Sequence, residues 1–174
     1  MKKILLLFSA VGMLSLTGCN NDDYDEDTIA EVFETQFIDF TSAGNYEALI
    51  PLDPSLPAAD MLLVYRLVQE ENADMDVWEL IPTTKYNVSG VNGAEIDYGF
   101  NFTQVDLLLY MGSNDNLANF PDYTQDQIFR VVIIPGFASN FRTSANSMEQ
   151  FKDYNAVIKK YGINDSNVKK IGVK

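Results

Sequence analysis

The chain has 174 residues, 47% of them hydrophobic and 21% charged, which is the balance of a globular protein with room for one domain. Its 25 Asp and Glu outweigh 12 Lys and Arg, and the net charge of −13 argues against nucleic acid as a partner. With no His and one Cys, serine-histidine and cysteine-histidine catalysis, histidine metal sites and disulfides within one chain are excluded.

Lys2 and Lys3 precede an apolar run over residues 4–16. That run is shorter than the roughly 20 residues a membrane-spanning helix needs, and its layout predicts a signal peptide over residues 1–18. It ends in Leu16-Thr17-Gly18-Cys19, which resembles the lipobox of bacterial lipoproteins. The resemblance implies that Cys19 is acylated and becomes the N-terminus, so that the partner at this end is a membrane. Several acyl chains anchor stably where one does not, and the single Cys would leave no free thiol.

Residues 19–31 read as an acidic tether. Between Asn20 and Asp27 there are five acids and no base, and like charges keep such a segment extended and solvated. It also resembles the acidic export signal behind the lipobox of surface lipoproteins in Bacteroidota-type bacteria. Asp27-Thr28-Ile29 is similar to their O-glycosylation sequon, which makes Thr28 a candidate glycosylation site. The implied location is the cell envelope, as an outer-membrane lipoprotein facing the exterior. Charge is uneven along the chain: −7 over residues 19–34, −12 over 35–150 and +4 over 151–174. The basic C-terminal stretch could dock back onto the acidic body or meet anionic lipopolysaccharide, and is expected to be a solvated terminus instead.

Residues 32–174 read as a mainly β domain, an antiparallel β-sandwich or small barrel of about six to eight strands with one C-terminal helix. Strand candidates in chain order are 46–52, 61–69, 77–81 continued at 85–88, 95–102, 105–111 and 128–134. Residues 61–69, 105–111 and 128–134 are apolar on both parities, as strands covered on both faces are. In 95–102 the apolar residues alternate, placing Ile96, Tyr98, Phe100 and Phe102 inward. Trp78, Leu63, Tyr65, Val131 and Ile133 are expected in the same core. Asn92-Gly93 signals a tight hairpin turn before this strand, and Pro82 a bend or edge.

Near the end, Ser147-Met148-Glu149-Gln150 has the capping-box pattern. Phe151, Tyr154, Ile158 and Tyr161 then form one apolar stripe, with Gly162 as the stop. This predicts a helix lying as a lid on the sheet.

Three blocks, at residues 76–82, 98–103 and 123–135, are similar to recurring blocks of a Bacteroidota-type surface lipoprotein family with no assigned activity. The resemblance spans roughly residues 33–171, implies location and fold class, and carries over no catalytic residue. Members often have a collagen-like Gly-X-Y stretch after the anchor, which this sequence lacks.

Candidate chemistry rests on carboxylates. Glu95 and Asp97 project from one face of a strand about 7 Å apart, a separation suited to glycoside hydrolysis. Glu70, Glu71, Asp74 and Asp76 form one oxygen-rich turn and Asn114, Asp115 and Asn116 another. Calcium accepts such loops, although neither has EF-hand spacing. Otherwise no cofactor is implied. Trp78 and nine Tyr offer sugar-stacking faces, with Trp78 itself placed in the core. Arg130 is expected to pair with an acid such as Asp97 or Asp106. The leading expectation is a non-catalytic module that binds a protein or glycan or serves a structural role. A carboxylate-dependent glycan hydrolase and a calcium-stabilised adhesin are the alternatives.

Overall fold

The computed structural model describes residues 30–69, 76–136 and 148–173. Cys19, Thr28, Glu70, Glu71, Asp74 and Ser147 lie outside the described residues. The described chain forms nine strands: β1 (Glu31–Thr35), β2 (Glu47–Pro51), β3 (Met61–Gln69), β4 (Val77–Ile81), β5 (Thr83–Tyr86), β6 (Glu95–Phe102), β7 (Asp106–Ser113), β8 (Phe129–Ile134) and β9 (Lys169–Ile171). Two helices join them, a single turn α1 (Pro121–Thr124) and α2 (Tyr154–Tyr161).

The strands make two sheets of a β-sandwich, ordered β4-β3-β8-β1-β9 and β2-β7-β6-β5. All pairings are antiparallel except β1 with β9. Between the sheets Phe33, Leu62, Val64, Ile81, Phe129 and Val131 meet Ile50, Ile96, Tyr98, Leu107 and Leu109. The five-stranded sheet has a second core on its outer side. There Leu63, Tyr65, Trp78, Val132 and Ile134 pack with Phe151, Tyr154 and Val157.

This second core explains the apolar residues on both parities of β3 and β8, and it corrects the expectation of one shared core. Trp78, Leu63 and Tyr65 face away from Ile96, Tyr98 and Val131. In β6 the inward alternation holds for Ile96 and Tyr98 and for Phe100, which is half-buried against the same core, and fails at Phe102, which is exposed. Pairing with β5 stops at Thr83↔Tyr98. Beyond it no described strand pairs with β6 on that side, and the two Phe rings stack on each other with centroids 6.4 Å apart.

Pro82 marks the point where the chain leaves one sheet for the other, because β4 and β5 belong to different sheets. The β5–β6 connection is longer than a two-residue turn. It runs from Asn87 to Ala94, with positive φ at Asn87, Ser89, Gly90 and Gly93, and Asn87 Oδ1 accepts from the Gly93 amide at 2.9 Å. Asn92 keeps an ordinary φ.

The C-terminal helix lies on the sheet as expected, but it starts later. A 3-10 turn occupies Glu149–Phe151, and Asp153 caps α2 by accepting from the Ala156 amide at 3.1 Å. Gly162 closes it in the left-handed conformation at φ 65. Tyr154 and Val157 are its buried residues. The basic C-terminal stretch is not a solvated tail: β9 runs beside β1, and Lys170 Nζ lies 3.0 Å from Glu34 Oε1. No helix among the described residues is long and apolar enough to cross a membrane.

Candidate functional site

The two outer faces of the sandwich are built differently. On the five-stranded sheet the register places Leu80, Tyr65, Arg130, Glu34 and Lys170 in one row across all five strands. Arg130 donates from Nε to Glu34 Oε2 at 2.9 Å and from Nη1 to the Tyr154 hydroxyl at 3.0 Å. It reaches Asp165 at 3.4 Å and stacks over the Trp78 ring at 4.3 Å. Burial alone would lower the Arg130 pKa, but the hydrogen bonds and charge of Glu34 and Tyr154 outweigh it and raise it. Arg130 therefore stays charged, paired with Glu34 and Asp165 rather than with Asp97 or Asp106. Those two acids stand on the opposite sheet.

Tyr154 donates to Asp165 at 2.9 Å, and Tyr65 donates to the Phe151 carbonyl at 2.7 Å. Burial raises both hydroxyls well above the usual tyrosine range. This face is closed and structural.

The outer face of the four-stranded sheet has no such cover among the described residues. Because Ala48, Ile50, Ile96, Tyr98, Leu107, Leu109 and Met111 point inward, the alternate residues face out. They are Glu47 and Leu49 on β2, Thr84 and Tyr86 on β5, Glu95, Asp97, Gly99 and Asn101 on β6, and Asp106, Leu108 and Tyr110 on β7. Tyr86 is 67% exposed and Leu49 44% exposed.

Gly99 lies directly opposite Tyr110 in the register, and the phenol ring lies over it. A Cβ on Gly99 would sit 2.5 Å from Tyr110 Cζ, a distance no side chain tolerates. The missing side chain is what lets the ring lie down on the sheet. Beside it the Thr84 hydroxyl donates to Asp97 Oδ1 at 2.6 Å. Asp97 in turn stands opposite Gly112, with Oδ2 3.7 Å from where a Gly112 Cβ would be. Tyr110, Gly99, Asp97, Thr84 and Tyr86 border a shallow groove of about 380 Å³.

A second cavity, of about 500 Å³, opens where β3 begins, between Phe33, Leu52, Leu56, Ile133 and Ile171, with Asp53, Asp60 and Lys169 at its edge. Ala30, the first described residue, also lines it. At the other end of β3 the sandwich is plugged by a buried polar cluster. Arg66 donates to Gln127 Oε1 at 2.8 Å and its guanidinium lies 4.4 Å from the Tyr98 ring centre. Tyr98 donates to the Tyr123 carbonyl at 2.7 Å. Burial raises its hydroxyl pKa despite the nearby Arg66 charge, which works the other way.

The residues singled out from the sequence fall as follows. Glu95 and Asp97 share the open face, Asp97 already accepting from Thr84. Lys85 is bound to Glu79 at 2.5 Å. Asn114 bridges the Gly93 carbonyl and the Glu95 amide, both at 2.9 Å. Asp115 accepts from the Asn116 amide and Asn116 from the Ala118 amide, so these oxygens serve the local backbone. Asp76 precedes β4 with one buried carboxylate oxygen that has no hydrogen-bond partner among the described residues. Among the described residues no three His, Cys, Asp or Glu come together as a metal site.

Sequence reasoning missed Tyr110, Gly99 and Tyr86. A signal existed for Gly99: it is the one residue without a side chain at an outward position of an alternating strand, which marks a close approach. Comparison of the chain with family models, curated proteins and solved structures yields no match.

Proposed function

We propose that this chain is a lipid-anchored lipoprotein of the outer membrane, displayed on the cell exterior, that works as a non-catalytic binding module. Its binding surface is the open outer face of the four-stranded sheet. The observation that carries this reading is the contrast within β7. Its outward residues Leu108 and Tyr110 are as apolar as those of β3 and β8, yet no described element packs over them as α2 does over the other sheet. An apolar and aromatic strip rimmed by polar groups is the usual mark of an interaction surface. Anchoring is supported by the order of charge, apolar run and Leu-Thr-Gly-Cys box in residues 1–19.

A binding role also fits the chemistry of the face. A general acid needs an apolar pocket that shifts its carboxyl, and Glu95 and Asp97 stand on an open sheet surface. Lys85, the one Lys between Lys3 and residue 151, is held by Glu79.

Mass spectrometry of the mature N-terminus is expected to find acylated Cys19, and Cys19→Ser to release or mislocalise the protein. Protease treatment of whole cells is expected to remove the domain. Protection until lysis would place it inside the envelope instead. Turnover of a polysaccharide that disappears in Asp97→Asn or Glu95→Gln would overturn the non-catalytic reading.

A further inference from the structure

We infer that the groove bordered by Tyr110, Asp97, Thr84 and Tyr86 is a subsite for a neutral glycan, an inference that rests on reading this face as the binding surface. The geometry offers the two things a sugar ring needs. Its apolar C–H face requires a flat aromatic platform, and its hydroxyls require fixed acceptors. Tyr110 supplies the platform because Gly99 beneath it has no side chain. Asp97 supplies the acceptor, one position pair along β6 and so about 7 Å from Gly99. Its Oδ1 is oriented by the Thr84 hydroxyl at 2.6 Å, which leaves Oδ2 to accept from a ligand. Tyr86 rises at the edge of the groove with most of its ring in solvent.

Charge and area decide which ligand class fits. The outward residues of this sheet include Glu47, Glu95, Asp97 and Asp106 and no Lys or Arg, so an anionic glycan, phosphate or nucleic acid would be repelled. A stable protein interface removes about 800 Å² from each partner and depletes charge at its centre. Here acids sit on each side of the apolar strip, and the groove is shallow, with about 380 Å³ of space. A neutral oligosaccharide satisfies both limits, since it buries little area and welcomes carboxylate acceptors.

The test is calorimetric titration of the full lipidated protein in detergent. The probes are maltohexaose, cellohexaose, xylohexaose and mannohexaose, with an oligogalacturonate of equal length as the acidic control. At least one neutral hexasaccharide is expected to bind saturably and the acidic one not at all. Tyr110→Ala and Asp97→Asn should each weaken binding at least tenfold with unchanged melting temperature. Gly99→Ala, which displaces the ring without removing it, should weaken it too.

Binding that survives Tyr110→Ala and Asp97→Asn would overturn this site while leaving a binding module. Preference for oligogalacturonate, or no binding to any neutral probe at millimolar concentration, would overturn the ligand class. Hydrolysis of a probe would overturn the functional reading beneath it.

Discussion

The outer faces of the two sheets both carry tyrosines, put to different uses. On the five-stranded sheet, Tyr65, Trp78 and Tyr154 are buried with α2, and both tyrosine hydroxyls are hydrogen-bonded. On the four-stranded sheet, Tyr86 stands mostly in solvent and Tyr110 is half-buried at the border of the groove, with Asp97 beside them. An aromatic residue stabilises a fold when an element packs on it and offers a surface when none does. The comparison predicts that substitutions on the first face cost stability and substitutions on the second cost binding.

The largest effect should come from alkali, because it acts on several buried hydroxyls together. Tyr65 and Tyr154 on the covered face, and Tyr98 between the sheets, have their pKa raised by burial. A raised folded value means that folding favours the neutral phenol. Their stabilisation is therefore intact below the ordinary tyrosine pKa of about 10 and is lost as pH rises beyond it. Melting temperature followed from pH 8 to pH 12 should hold and then fall above about pH 10. A flat profile to pH 12 would mean that these hydroxyls reach water.

Next is Tyr65→Ala, which empties a fully buried site and should destabilise by about 3–5 kcal/mol in chemical denaturation. Arg130→Met comes close behind. It leaves Glu34, whose side chain is only 9% exposed, with Lys170 alone, and losing one partner of a largely buried pair costs about 3 kcal/mol. Gly99→Ala forces Tyr110 off the sheet and should cost about 1 kcal/mol, the low end for overpacking, because a side chain can swing away where backbone cannot. Smallest is Tyr86→Ala, within about 0.5 kcal/mol as an exposed position. A Tyr86→Ala cost as large as that of Tyr65→Ala would erase the distinction between the faces.

Much of the fold was legible in the sequence wherever one physical signal dominated. The two-parity runs of β3 and β8 marked a sheet buried on both sides. The same signal in residues 105–111 misled, because no described element covers the outer face of β7. The stripe at Tyr154 with Gly162 marked the covering helix. β1 was hidden because Glu31 and Glu34 continue the run of acids that begins in the tether. The burial of Glu34 depends on Arg130, which is 96 residues away, and no local pattern carries that. β9 was hidden by its Lys residues and its length of three; its place beside β1 is likewise a long-range matter. The same limit applied to the groove. Tyr110 in a run of leucines reads as core, and only the register that sets it over Gly99 distinguishes a shelf from a buried ring. Phe102 followed the alternation of β6 but lies past the end of β5, where periodicity no longer implies cover.

The central claim is that one face is closed and the other open to a ligand, and tyrosine nitration of the folded protein read by peptide mass spectrometry tests it most directly. With tetranitromethane at neutral pH, Tyr86 should react fastest and Tyr110 measurably, while Tyr65, Tyr98 and Tyr154 stay unmodified until the protein unfolds. Prompt nitration of Tyr65 or Tyr154, or complete protection of both Tyr86 and Tyr110, would contradict the account.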